Sequence, residues 1–142
     1  MCLYIKGIKK QVATEPVKVY KLLDTCDMPP YYPVRAYQIG INKPETQAYS
    51  VYDGKYWVGA GYLHAYTDKE HAMSAAKDIW RSDVYYSGYA VQYKLVEMYI
   101  PEGTVYYWNQ DIGETAAEAL EWRPDSPVEI GEVQYVKEDL PF

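Results

Sequence analysis

KYWVGAGYLHAYTDKEHAMSAAKDIWRS, residues 55–82, changes its hydrophobic period partway along. Up to Tyr66 the pattern alternates, so that Tyr56, Tyr62, His64 and Tyr66 share one face of an extended arm. From Thr67 the period becomes helical, and Ala72, Ala75, Ala76, Ile79 and Trp80 fall on one stripe. Thr67 with Glu70 three residues later fits a capping box, and Asp68 adds negative charge at the positive helix end. The small alanines allow the helix to approach a sheet closely. The expected fold class is α+β: a mostly antiparallel twisted β-sheet with one principal α-helix, about residues 68–81, packed on it.

Working outward, Asp53-Gly54 between aromatic runs marks a two-residue hairpin turn. The glycines at 59 and 61 predict a bulge or bend in its second arm. Further strands are expected at CLYIK (2–6), VKVYKLL (17–23) and RAYQIGI (35–41) upstream. Downstream, DVYYSG leads back into GYAVQYKLVEMYI (88–100), followed by TVYYW (104–108) and PVEIGEVQYV (127–136). In the 88–100 strand the apolar phase changes at Leu95–Val96, which calls for a bulge or for burial on both faces. ETAAEALEW (114–122) is ambiguous, with helix-forming residues in a segment barely two turns long. DTCDMPPYYP (24–33) is a loop, because three prolines deny it ladder donors. Linkers and repeats are absent, and residues 1–142 read as a single domain.

The chain has 142 residues and a formal net charge of −6, unevenly distributed. Residues 1–96 carry 12 basic and 9 acidic side chains, whereas residues 97–142 carry 2 and 11. Nucleic-acid binding needs a dense basic surface, so direct DNA or RNA binding is not expected. No run approaches a membrane span, and no apolar stretch follows a basic start, so neither membrane insertion nor a secretory leader is expected. Cys2 and Cys26 accordingly read as free thiols in a reducing cytoplasm. Tyrosine occurs 18 times and tryptophan 4 times, against a single phenylalanine. Rings with a hydroxyl or N–H suit half-wet positions such as sheet faces, clefts and subunit interfaces, which makes a homo-oligomer the expected state.

His64 and His71 are the only histidines, and neither is expected to bind metal. They share no i,i+4 face, and no paired Cys-x-x-Cys accompanies them. Phosphate-cradling and nucleophile-elbow motifs are missing, so no catalytic residue and no cofactor is assigned. One enzymatic alternative casts His64, Tyr66 and Glu118 or Glu121 as the His, Tyr and late Glu of an ADP-ribosyl-transferring fold. The stronger expectation is binding. Rings on the Tyr62–His64–Tyr66 face can stack nucleobases, and arginine can clamp phosphate. The residues assigned to such a site are Tyr31, Tyr32, Arg35, Trp57, Tyr62, His64, Tyr66, Arg81, Tyr107 and Arg123. Each arginine lies in an aromatic stretch: Arg35 near Tyr31, Tyr32 and Tyr37, Arg81 beside Trp80, and Arg123 beside Trp122.

Five short segments taken in order resemble a loosely defined group of small bacteriophage and prophage proteins. They are MCLY (1–4), VYKLL (19–23), YQIG (37–40), GYLHAY (61–66) with its helix, and YIPEGTVYYW (99–108). The resemblance implies an α+β protein of the host-cell cytoplasm and a counter-defence role, and it transfers no site residue. Together these readings lead to an expected function: non-enzymatic sequestration of a small nucleotide-derived immune signal, of cyclic-nucleotide or ADP-ribose type. The alternatives are an acidic nucleic-acid mimic that blocks a basic host enzyme, and a phage assembly protein with no ligand.

Overall fold

The computed structural model describes residues 3–30, 35–44, 56–59, 61–87 and 92–131. Cys2, Tyr31, Tyr32, the Asp53-Gly54 turn and residues 132–136 of the closing strand lie outside this set, as do the side chains of Trp80 and Arg81. The elements in chain order are β1 (Leu3–Tyr4), β2 (Gln11–Val12), β3 (Val17–Leu23), β4 (Gly40–Asn42), β5 (Trp57–Val58), β6 (Leu63–Tyr66), α1 (Lys69–Ser87), β7 (Lys94–Ile100), β8 (Val105–Asn109), β9 (Glu114–Ala117), β10 (Leu120–Trp122) and β11 (Val128–Ile130). Nine strands form one sheet in the order β2-β8-β9-β6-β3-β7-β10-β4, with β11 also on β7; β1 and β5 form a separate two-stranded sheet. Among the described residues, every pairing between named strands is antiparallel. The fold is therefore α+β, a mostly antiparallel sheet with one helix. No helix among the described residues is long and apolar enough to cross a membrane.

VKVYKLL forms the strand its alternation predicts, and it pairs with β7 in unbroken register from Val17↔Ile100 to Leu23↔Lys94. That register settles the phase change at Leu95–Val96. There is no bulge; both faces are buried. Leu95 packs with Leu22, Tyr66 and Ala72 beneath α1, while Val96 belongs to the main core on the other face. The main core draws Val19, Leu23, Ala65, Met98, Ile100, Tyr106, Ala117 and Leu120 from strands across the sheet, together with Tyr37.

Three expectations need correction, and one ambiguity is resolved. The 35–41 strand shrinks to Gly40–Asn42, because the Tyr37 amide donates to the Asp27 carbonyl and the Asn42 side chain bonds the backbone of Gln38, holding the segment off the ladder. α1 continues past residue 81 to Ser87, since no glycine or proline interrupts the sequence before Gly88; DVYYS is thus helix rather than a lead-in to the next strand, which starts at Lys94. ETAAEALEW is neither one helix nor one strand but the pair β9 and β10. The helix cap lies one residue later than the Thr67–Glu70 box. Asp68 Oδ1 accepts from the His71 amide at 2.9 Å, and its Oδ2 lies 2.6 Å from His71 Nδ1. Thr67 instead donates its hydroxyl to Asp68 and its amide to the carbonyl of Gly113.

The predicted bend in the hairpin arm is a complete break. β5 joins the small sheet with β1, the chain reverses through Gly61 at φ +97°, and β6 enters the large sheet. A left-handed residue at this reversal favours glycine.

Candidate functional site

Tyr62 and Tyr107 come together under the small sheet. The inner face of that sheet, Leu3, Ile5 and Val58, packs on Tyr107 and Ala116, with Tyr62 against the same cluster. The Tyr62 and Tyr107 rings meet edge to face at 5.8 Å. Burial, then the neighbouring Tyr107 and Glu118, raise the Tyr62 hydroxyl pKa. His64 is only 5% exposed, and its Nε2 lies 3.0 Å from the Gly59 carbonyl, so Nε2 carries the hydrogen that it donates. Burial lowers its pKa to about 4 and holds the imidazole neutral at pH 7. Tyr66 is buried beneath α1 with Ala72. The Tyr-His-Tyr face is thus roofed by α1 and by the small sheet. It is packing, not an open platform.

Arg123 is not gathered onto these rings. Arg123 follows β10, which β3 and β7 separate from β6, about 14 Å at ordinary strand spacing. Its guanidinium lies 3.8 Å from the Tyr99 ring centroid and its Nε donates to Glu121 at 2.8 Å. The Glu121 considered for ADP-ribosyl transfer is engaged in that pair. Arg35 is exposed beside the residues 31–34 that lie outside the described set, and Arg81 falls on α1. Among the described residues, no three His, Cys, Asp or Glu side chains cluster as metal ligands. The Cys26 thiol is free and exposed.

Of the residues assigned to the site, Trp57 stands on an open surface. Strand alternation turns Val58 and Leu3 inward and Trp57 and Tyr4 outward, and the register pairs Tyr4 directly with Trp57. Their ring centroids are 4.9 Å apart at an interplanar angle of 56°, an open corner rather than a closed stack. Trp57 remains 40% exposed and Tyr4 38%. Lys6, two residues beyond Tyr4, holds its ammonium 5.6 Å from the Tyr56 ring. Two accessible aromatic faces therefore lie together on one small sheet, and Lys6 lies in the turn that follows β1. Sequence reasoning missed Tyr4, because only the pairing of residue 4 with residue 57 makes it a neighbour of Trp57.

It also missed Lys21. Alternation along β3 places this lysine with Val17, Val19 and Leu23 on the core face, and it is only 7% exposed. Its Nζ donates to the His64 carbonyl at 2.5 Å and sits 5.1 Å from the centroid of the Tyr37 ring. No carboxylate pairs with it among the described residues. Burial lowers its pKa from 10.5 to about 7 and pushes the Tyr37 phenol up. No protein-family profile matches the chain, and no curated protein or solved structure matches it either.

Proposed function

We propose that the protein is a non-enzymatic binding protein that captures a small nucleotide-derived ligand stoichiometrically. The observation that carries this reading is the outward Tyr4–Trp57 corner, with Lys6 two residues beyond Tyr4 in the chain. A nucleobase stacks on exposed aromatic faces, each contact contributing about 1–3 kcal/mol. A lysine ammonium supplies the point charge for a phosphate. This chemistry suits cyclic nucleotides and ADP-ribose-type molecules, which carry both groups. In the setting implied by the phage resemblance, the ligand is a bacterial immune signal and the protein acts in the host cytoplasm as its sink.

Tight capture requires more enclosure than one two-ring corner provides. A homo-oligomer that sets a second protomer against the first supplies it. Support for self-association comes from apolar residues left exposed on peripheral strands: Ile41 on β4, and Val128 and Ile130 on β11. The acidic-mimic reading draws less support, because Glu121 and Glu129 already pair with Arg123 and Lys69.

A thermal-shift screen against cyclic di- and trinucleotides, cyclic ADP-ribose isomers, NAD and ADP-ribose tests the reading. A ligand at 100 times its Kd adds roughly 2.7 kcal/mol of stability. The expected result is a concentration-dependent rise in Tm with at least one compound, recovered chemically unchanged. No rise with any of them overturns the proposal.

A further inference from the structure

Ile5 donates its amide to the Tyr56 carbonyl at 2.7 Å, which makes residues 5 and 56 a hydrogen-bonded pair on the β1–β5 ladder. In an antiparallel ladder such pairs alternate with non-hydrogen-bonded ones, so Tyr4↔Trp57 is of the second kind. The side chains of such a pair stand closest together, which accounts for ring centroids only 4.9 Å apart. The amide and carbonyl of Tyr4 then point away from β5, and the carbonyl needs a donor from elsewhere. Asn109, the last residue of β8, supplies it: its Nδ2 donates to the Tyr4 carbonyl at 2.9 Å. The same side chain is buried, and its Oδ1 accepts the Asp111 amide at 3.2 Å. Only Nδ2 can serve a carbonyl and only Oδ1 can serve an N–H, so the two bonds fix the amide group in one orientation. The turn that carries it is tied down in turn, with the Gly113 amide on the Gln110 carbonyl at 3.2 Å and the Thr67 amide on the Gly113 carbonyl at 2.9 Å. The large sheet thus reaches the aromatic corner through a side chain held at both ends.

We propose that Asn109 is the positioning residue of the Tyr4–Trp57 corner, its hydrogen bond to the Tyr4 carbonyl setting the angle between the two rings and hence the slot that a planar base enters. The bond fixes the peptide plane that follows Tyr4, and with it the direction in which the Tyr4 ring leaves the strand. At an interplanar angle of 56°, a base stacked on one ring meets the other ring obliquely. A corner that closes shuts the base out, and one that opens flat gives up the second contact. Asn109 touches no ligand and acts through the Tyr4 backbone. Its part in binding rests on the reading of the corner as the nucleotide site, whereas its hold on the ring geometry is read without any nucleotide.

The test follows the indole N–H resonance of Trp57 in the free, 15N-labelled intact chain. Tyr4→Leu marks where that signal lies without the ring current of Tyr4. In Asn109→Asp at pH 7.5 the carboxylate cannot donate and repels the Tyr4 carbonyl. The Trp57 signal is expected to move at least halfway to its Tyr4→Leu position, while that of Trp122, across the sheet, stays in place. Lowering the pH to 4.5 protonates the buried acid, whose O–H can donate again, and the signal is expected to return toward that of the parent at the same pH. A Trp57 signal that Asn109→Asp leaves in place, or a displacement that protonation does not reverse, overturns the proposal. Asn109→Ser, neutral and too short to reach the carbonyl, supplies the pH 7.5 comparison if the aspartate variant does not fold. Cyclic di- and trinucleotides added to the parent read binding separately. A Trp57 signal that Asn109 controls but no nucleotide moves would sink the nucleotide reading and leave the positioning role standing.

Discussion

At position 64 the ring nitrogen that bonds the Gly59 carbonyl and the burial around it pull in opposite directions, and burial prevails, leaving the imidazole neutral down to about pH 4. Its folded pKa lies below the unfolded 6.5, so the unfolded chain binds more protons between these values. Stability is then complete above pH 6.5 and falls as pH drops toward 4, by roughly 3 kcal/mol at 1.36 kcal/mol per pKa unit. Urea unfolding across this window should show the loss in the parent and a much flatter profile in His64→Gln. Lys21 has the same sign at higher pH. Its folded pKa is near 7 against 10.5 unfolded, so stability rises as pH climbs from 7 to 10.5. The stability difference between the parent and Lys21→Met should shift in the parent's favour by roughly 3–5 kcal/mol over that interval. A difference independent of pH would mean that the amine is solvated. The burial of Lys21 was legible in VKVYKLL, where it shares the face of three aliphatic residues. Its lack of a carboxylate was not, since that depends on what β6 and the 35–39 segment bring across.

The element scale shows where local rules stop. Thr67 and Asp68 are both good N-caps, and nothing local chooses between them; the Gly113 carbonyl does, by taking the Thr67 amide. Gly113 sits at φ +68°, and a Cβ built there would come within 2.1 Å of the His71 ring. Gly113→Ala should cost more than the 1–2 kcal/mol of a left-handed backbone alone. Added to His71→Ala, where the ring is gone, its cost should fall back to about that value. A double-mutant cycle by denaturant unfolding reads the coupling. Equal costs in both backgrounds would refute the contact. Asp68→Ala should remove about 1 kcal/mol, the ordinary value of a cap. The split of ETAAEALEW into β9 and β10 has a similar origin. Its alanines favour helix in isolation, but Ala116 and Ala117 fill fully buried slots against β6 and β8 that larger side chains would overfill. Ala117→Leu should destabilise by about 1–3 kcal/mol.

Over the whole molecule, the α+β class was readable from the single change of period at Thr67, because strand and helix patterns are local. The position of the outward aromatic corner was not, since β1 and β5 pair across more than fifty residues. The arm expected to carry a Tyr-His-Tyr platform breaks at Gly59–Gly61, which sends Trp57 outward and buries His64 and Tyr66. Self-association belongs to this scale as well. Sedimentation of the parent should give a species larger than a monomer, and Ile41→Lys with Val128→Lys should shift it toward monomer. An unchanged distribution would place any interface elsewhere. Nucleotide binding at the Tyr4–Trp57 corner is read from the indole N–H resonances in 15N-labelled protein. Cyclic di- and trinucleotides and ADP-ribose are added in turn, and the Trp57 signal is assigned by its loss in Trp57→Phe. At least one compound is expected to shift the Trp57 resonance saturably while those of Trp108 and Trp122 stay in place. A Trp57 resonance that none of them moves would contradict it.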